Sequence, residues 1–337
     1  MNSPIDVVIP WVDDSDPEWR KQRDFWAKKT SYDKFEKSIV RFQSWDNLQY
    51  WFRSIETCMP WINKIFFVTW GHIPEFLNVN HPNIRVIKHE DFIPLKYLPT
   101  FNINTIEMNF FRIPELSENF IYFNDDTLPL QPIDEEYFFK DDNVCDEAIE
   151  NIITTTSFGA VSRATRYAQV NNMFIINKYF KKREVQKKNW DKWYCEDYGD
   201  RLERTKACAF WRDFPGFYDP HMANALKKST IEHLWSIEPE LLDAGSMNKF
   251  RGSSDVTQYL ARYWQICTGD FVPRRTQGKV FFPTIDTYKD VVNAIDNKLY
   301  QMISYNENCT PEEFVIMKKE INRALETCFP MKCSYEK

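Results

Sequence analysis

Ile5-Asp6-Val7-Val8-Ile9-Pro10-Trp11-Val12 is an almost unbroken apolar run that stops abruptly at Asp13-Asp14-Ser15-Asp16-Pro17. A run of that length bounded by turn formers reads as a strand buried on both faces and followed by a loop. Leu48, Trp51, Phe52, Ile55 and Met59 then recur at helical spacing, with Ser44 ahead of them as a cap and Pro60 as the stop. Residues 64–69 and 84–87 are two further short apolar runs and predict strands. The pattern over 102–112 predicts a helix broken at Pro114. Phe120-Ile121-Tyr122-Phe123 predicts a fourth strand that runs straight into Asn124-Asp125-Asp126.

Strands alternating with helices imply an α/β fold, a Rossmann-like and mostly parallel sheet flanked by helices. In such folds ligands sit beyond the carboxyl ends of the strands. Both acidic clusters, Asp13/Asp14/Asp16 and Asp125/Asp126, fall at such ends. Aspartate is also a common turn residue, so one cluster alone would be equivocal; two in equivalent places point to function. Residues 127–215 are less regular. They contain the basic, aromatic stretch Lys178, Tyr179, Phe180, Lys181, Lys182, Arg183, Lys187, Lys188, Trp190, Lys192, Trp193. That stretch suits either a solvated helix face or contact with an anionic membrane surface. From 219 to 273 the chain reads as helical with polar interruptions. A last helix opens with Thr310 as cap, Pro311 at its first position and Glu313 closing a capping box. Phe314, Met317, Ile321 and Leu325 give that helix one apolar face. The C-terminal half is thus expected to add helices to the sheet.

Composition narrows the functions. The 337 residues carry a net charge of −6, which gives no overall field for nucleic acid. Aromatics are 16% of the chain and only 8 residues are glycine. Neither GxGxxG nor GxxxxGK[ST] occurs, which excludes the Gly-rich dinucleotide and P-loop cradles. The eight cysteines form no CxxC pair, so a structural zinc site is not expected and free thiols are. The start Met1-Asn2-Ser3-Pro4 does not read as a signal peptide, and no run nears the roughly 20 apolar residues of a membrane span. A cytoplasmic protein is expected, and the sequon Asn308-Cys309-Thr310 is then incidental.

Three stretches could carry chemistry. Asn124-Asp125-Asp126 offers two carboxylates to a hard cation such as Mg²⁺, which takes one or two of them together with phosphate oxygens. His221, in Tyr218-Asp219-Pro220-His221-Met222, can accept a proton near neutrality. Phe250-Arg251-Gly252-Ser253-Ser254-Asp255 combines a phosphate-matching guanidinium with hydroxyls and a carboxylate. Its Ser-Ser-Asp is equally a helix cap, and a helix N-terminus itself attracts anions.

These stretches lie in order along a sequence that resembles the Stealth family of sugar-1-phosphate transferases. The first family region resembles residues 5–17. The second resembles residues from Arg41 through Asp46-Asn47-Leu48, Arg53, Asn102, Ile106-Glu107 and Arg112-Ile113-Pro114 to Asn124-Asp125-Asp126. Shorter likenesses surround His221 and Arg251. The sequence departs from the family where Asp13-Asp14 replaces an aspartate-glycine pair and where no histidine precedes Arg112.

The resemblance implies a catalytic domain over 1–280 and a C-terminal helical segment over 281–337. Within the domain, 5–130 would be the nucleotide-sugar and metal-binding α/β core, 131–218 an insertion, and 219–280 the His/Arg catalytic regions. It implies transfer of a sugar-1-phosphate from a UDP-sugar to a hydroxyl of an acceptor glycan, releasing UMP, in bacterial capsular or cell-surface polysaccharide synthesis. By analogy His221 would be the base, and Arg251 with Arg112 would neutralise the phosphoryl group. Asp125 and Asp126 would hold Mg²⁺ or Mn²⁺. Trp11, Val12, Asp13, Asp14, Asp16, Asn102, Asn124, Ser253 and Asp255 would contact substrate. A lipid-linked or polymeric acceptor at the inner face of the membrane is the expected partner. The rivals are an ordinary UDP-sugar glycosyltransferase that releases UDP, and a non-catalytic carbohydrate-binding protein.

Overall fold

The computed structural model describes residues 3–31, 36–37, 42–154, 163–306 and 309–337; Arg41 and Asn308 lie outside them. The first half comprises β1 (Ile5–Trp11), α1 (Pro17–Lys29), α2 (Leu48–Cys58), β2 (Ile65–Thr69), β3 (Ile84–Lys88), α3 (His89–Phe92), α4 (Ile103–Met108), β4 (Asn119–Tyr122), β5 (Thr127–Pro129), β6 (Phe139–Lys140), β7 (Asn143–Asp146) and α5 (Arg163–Tyr179). The second half comprises α6 (Lys182–Lys188), α7 (Trp190–Trp193), α8 (Leu202–Ala207), β8 (Asn224–Lys227), α9 (Lys228–Ile237), α10 (Pro239–Ser246), α11 (Tyr259–Thr268), β9 (Phe271–Pro273), β10 (Lys279–Phe281), α12 (Tyr288–Asp296), β11 (Met302–Tyr305) and α13 (Pro311–Cys328).

The central sheet has the order β3-β2-β1-β4-β8, with the first four strands parallel and β8 antiparallel at the edge. The α/β reading of the sequence therefore holds. β1 is apolar without alternation because helices cover both faces, and Ile5 to Ile9 are buried throughout. Three helices, α9, α10 and α11, follow the helical reading of 219–273, and β8 departs from it. Ala225 and Leu226 are claimed by the open edge of β4, where Ile121 and Phe120 are their register partners. Local pattern yields here to an unpaired strand edge.

Three other expectations change. Ser44 does not cap α2; its hydroxyl accepts from the Asp46 N–H, and Asn47 holds the cap position without a side-chain bond to the helix. The helix over 102–112 divides into α4 and a separate 3₁₀ turn, Phe110–Arg112, with Asn109 between them. The segment 281–337, expected to be helical, holds the strand β11 as well as the helices α12 and α13. Its strand β11 pairs antiparallel with β5, and Arg53 of α2 grips Glu336 through two bonds of 2.7 and 2.9 Å. Asn322 and Lys318 of α13 donate to the carbonyls of Trp45 and Ser44. The C-terminal segment thus packs on α2, and eight of the helix's 11 residues are buried.

Three cations of the basic stretch 178–193 are engaged within the protein. Lys182 is buried against Glu150, Lys192 donates to the carbonyls of Gly269 and Phe271, and Lys178 pairs with Glu238. Thr310, Pro311 and Glu313 open α13 as expected, and all eight cysteines are free thiols. Among the described residues no helix is long and apolar enough to cross a membrane.

His89, the first residue of α3, is buried, and desolvation pushes its pKa down to about 4. Between pH 6.5 and 4 the unfolded chain binds a proton there that the folded chain refuses, so stability falls as the pH falls. Denaturant titrations should show a loss of about 2 kcal/mol from this group between pH 7 and pH 5. The variant His89→Gln should lack that increment; equal losses in both proteins would contradict the burial account.

Candidate active site

The parallel strands all end at one edge of the sheet, and the loops that leave them converge there. β1 delivers Val12–Asp16, β2 delivers Trp70–His72, and β4 delivers Asn124–Asp126. β8 runs the other way, so its beginning, not its end, reaches this edge. Asn224 sits opposite Tyr122, and His221 precedes it by three residues. The missed strand is therefore what brings His221 to Asp126. His221 Nε2 lies 3.1 Å from Asp126 Oδ2, with 35% of the histidine side chain and 15% of the aspartate exposed.

Burial disfavours the imidazolium of His221, but the charge and hydrogen bond of Asp126 outweigh it, and its pKa stands above the ordinary value despite Arg251 nearby. With Nε2 donating to Asp126, Nδ1 is left to take a proton. The other oxygen of Asp126 accepts from Thr127 at 3.1 Å and Ser304 at 3.4 Å. The loop is clamped further by Tyr305 N–H on the Asp126 carbonyl and by Asn47, which donates to the Asp125 carbonyl at 3.0 Å and to Tyr305 Oη at 2.7 Å.

Arg251 approaches from the loop between α10 and α11. Asp255, 1% exposed, anchors that loop by accepting from Asn102, Asn104, Asn248 and the Gly252 N–H at 2.6–3.1 Å. Phe250 stacks on Phe101 at 5.3 Å, and Lys249 donates to the carbonyls of Tyr97 and Leu98. The neighbours of Arg251 are thus fixed, while its own guanidinium has no hydrogen bond or ion pair among the described residues. Its charge is felt by Glu107, Tyr122 and His221. A half-buried, unpaired guanidinium beside a histidine–aspartate pair is suited to receiving an anion.

Glu107 lies beneath them, buried. Its Oε1 is 2.8 Å from the Tyr122 hydroxyl, which is 2.5 Å from Asn124 Oδ1, and its Oε2 accepts from the Gln258 N–H. Burial raises its pKa against the opposing effects of those bonds and of the Arg251 and His221 charges.

The structure separates the other candidates. Asp13 accepts from the Ser15 N–H and hydroxyl, and Asp16 caps α1 through the Trp19 N–H at 2.7 Å, so both work as turn and cap residues. Asp14 faces Arg20, and burial raises its carboxyl pKa. Trp11 packs on Phe67 and His72, and Val12 joins the aromatic cluster of Trp19, Phe101 and Phe250. Asn102 and Asp255 are buried in the anchor of the Arg251 loop, and Ser253 is exposed with its carbonyl taken by Asn171. Arg112 does not join Arg251. Its guanidinium lies over Phe111 and Trp235 and its Nε donates to Asn109, because the 3₁₀ turn aims it at α9. For a cation, the described residues build no cluster of three or more His, Cys, Asp or Glu. Asp125 and Asp126 alone are offered, a number that suits Mg²⁺ when phosphates complete its shell.

Sequence reasoning passed over Asn47, Tyr122, Ser304 and Tyr305, and gave Glu107 no role although it follows Ile106 in a stretch that resembles the family. Nothing local marks Ser304 or Tyr305, because pairing across the chain brings them to the site.

Residues 3–31 match the model of Stealth protein conserved region 1, and residues 41–146 match that of conserved region 2. The chain is 34% identical to the capsular polysaccharide phosphotransferase WcwK of Streptococcus pneumoniae, covering 99% of this chain and 98% of that one. It is 32% identical to the exopolysaccharide phosphotransferase cps2G of Lactiplantibacillus plantarum, over 99% and 96% of the two chains. It is 31% identical to the receptor polysaccharide phosphotransferase WefC of Streptococcus gordonii over the full length of both. A solved glycosyltransferase, GlyE of Streptococcus pneumoniae, is 8% identical with a TM-score of 0.25, covering 95% of this chain and 79% of that one. The fold is α/β, and the full-length relatives are transferases by name. The chain belongs to the Stealth family and is a phosphotransferase of that family.

The anchoring role of Asp255 has a direct check. Asp255→Ala removes the acceptor of four donors, three of them on buried residues, and should cost about 2–4 kcal/mol in denaturant unfolding. Ser253→Ala, exposed, should stay within about 0.5 kcal/mol of wild type. Wild-type stability in Asp255→Ala would return that carboxylate to the substrate-facing groups.

Proposed function

We propose that the protein transfers a sugar-1-phosphate from a UDP-sugar to a hydroxyl of an acceptor glycan. The product is a phosphodiester and the leaving group is UMP. The observation that carries this reading is the unpaired Arg251 guanidinium beside the His221–Asp126 pair at the carboxyl edge of the sheet. A proton acceptor and a fixed cation around one space is what attack on a phosphoryl group asks for, since catalysis there is mostly alignment and charge neutralisation. The names of the full-length relatives support an acceptor glycan in capsular or other cell-surface polysaccharide.

In this reading the acceptor hydroxyl oxygen attacks the β-phosphorus of the donor. A new P–O bond forms, and the P–O bond to the bridging oxygen breaks. UMP departs with that electron pair, and the hydroxyl proton passes to His221 Nδ1. Asp126 fixes the imidazole through Nε2, and Arg251 bears on the charge of the transferred phosphoryl group. Asp125 and Asp126 would hold Mg²⁺ or Mn²⁺, which supplies further neutralisation of the diphosphate. Asp14, Trp11 and Val12 lie at the end of β1, where the nucleotide would rest, and Asn124 faces the same edge.

The test is ³¹P NMR of the purified protein with a divalent cation, a panel of UDP-sugars and acceptor glycan. A new phosphodiester resonance with stoichiometric UMP is expected; UDP without phosphodiester would make it an ordinary glycosyltransferase. Silence with every donor, despite saturable donor binding, would favour a carbohydrate-binding protein. In the same assay His221→Ala and Arg251→Ala should lower turnover by on the order of 100-fold or more while melting as wild type does. Near-normal turnover in either removes that residue from the machinery.

A further inference from the structure

Large aromatic side chains are seldom left bare on a soluble surface. Yet Phe210 is 96% exposed and its neighbour Trp211 is 51% exposed. They form the tip of a tight turn, closed by Trp211 N–H on the Cys208 carbonyl at 3.1 Å. The turn is braced from below: buried Lys182, the first residue of α6, donates to the same carbonyl at 2.6 Å and pairs with Glu150 at 2.7 Å. The two aromatics are therefore held outward on a fixed base.

Cations ring this tip. Lys181 and Arg183 flank the bracing lysine, and Lys206 and Arg212 flank the turn, and all four are exposed. Lys181 and Lys206 share exposed pairs with Glu184 and Glu203, whereas Arg183 and Arg212 have no ion pair among the described residues. Farther along α6, Lys187 and Lys188 are exposed too, next to Trp190, which stacks on Tyr194 at 4.1 Å. Residues 178–213 hold 11 basic and seven acidic side chains, a net +4 in a chain whose total is −6. The rest of the molecule is thus repelled by the negative surface that this face would attract.

We propose that this face docks on an anionic lipid bilayer, with Phe210 and Trp211 seated at headgroup level and Arg183, Arg212, Lys187 and Lys188 on the lipid phosphates. Projecting aromatics collared by basic side chains match that interface, in which one end of each ring is apolar and the other wet. A protein partner would ask for a wider apolar patch than two rings on a turn. One consequence of the placement depends on the proposed reaction, whereas the docking itself does not. The strand of chain that leaves Trp211 is pinned by Asn177 on both the N–H and carbonyl of Phe214, and it presents His221 ten residues on. The docked face would deliver a lipid-linked acceptor to the side of the site where the proton is taken.

Vesicle co-sedimentation of the full chain, without donor or acceptor, tests the docking apart from the chemistry. Vesicles of phosphatidylglycerol and phosphatidylcholine should retain the protein at low salt, and pure phosphatidylcholine should not. Raising the salt should release it. The double variant Phe210→Ser/Trp211→Ser and the double variant Arg183→Glu/Arg212→Glu should each weaken retention by on the order of tenfold, with unchanged circular dichroism and melting. No retention by anionic vesicles, equal retention by neutral ones, or undiminished retention of both variants would overturn the proposal. A change in sedimenting mass of the serine variant in the absence of lipid would assign the face to a protein partner instead.

Discussion

The site depends on one constraint: the Asn124–Asp126 loop must be held still where β4 ends. A two-carboxylate loop would otherwise splay, because adjacent anions repel and are strongly hydrated. Here its carbonyls and one carboxylate oxygen are taken by groups from distant parts of the sequence. Asn47 comes from the start of α2, and Ser304 and Tyr305 come from β11. The other oxygen of Asp126, Oδ2, meets His221. Arg53 and Glu336 tie the C-terminal segment to α2, the helix that Asn47 precedes, so the clamp on this loop is part of the core rather than an addition to it.

The same division of labour recurs on the opposite wall. Asp255 is buried and saturated with donors, and its neighbour by four residues, Arg251, is neither. Burying a carboxylate is costly unless its lone pairs are filled, and once filled it is chemically spent. Such a group fixes a loop. On the side of β8, Arg262 plays the equivalent part for His221. It is 1% exposed, grips Asp146 through two bonds of 2.8 Å and donates to the Tyr218 carbonyl at 2.9 Å. Tyr259 adds a bond to the Pro220 carbonyl at 3.2 Å. Rigid, saturated polar groups thus stand behind each of the two side chains left free to act.

This explains what the sequence could and could not reveal. The buried parallel strands were legible because burial on both faces leaves an uninterrupted apolar run. Their ends were legible because the run stops at acids. Asp126, His221 and Arg251 were found, and they converge. Asp13, Asp16, Asn102 and Asp255 were picked by the same reasoning and turn out to be turn, cap and anchor residues. Pattern alone does not separate an aspartate that faces solvent from one that fills a cap; only its hydrogen-bond partners do. Arg112 is not brought to Arg251, since its guanidinium lies over Phe111 and Trp235. β8 was hidden because its strand character comes from the open edge of β4, and Tyr305 was hidden because its role comes from β11 pairing with β5.

The central claim is that Asp126 and His221 act as one unit at the edge of this sheet. A double-mutant cycle on kcat/KM measures that directly, with Asp126→Asn, His221→Gln and the double variant. If the two side chains share one function, the double variant should be no slower than the slower single variant, to within about threefold. Losses that multiply would mean that Asp126 and His221 work independently, and the picture of a coupled pair at this edge would be wrong.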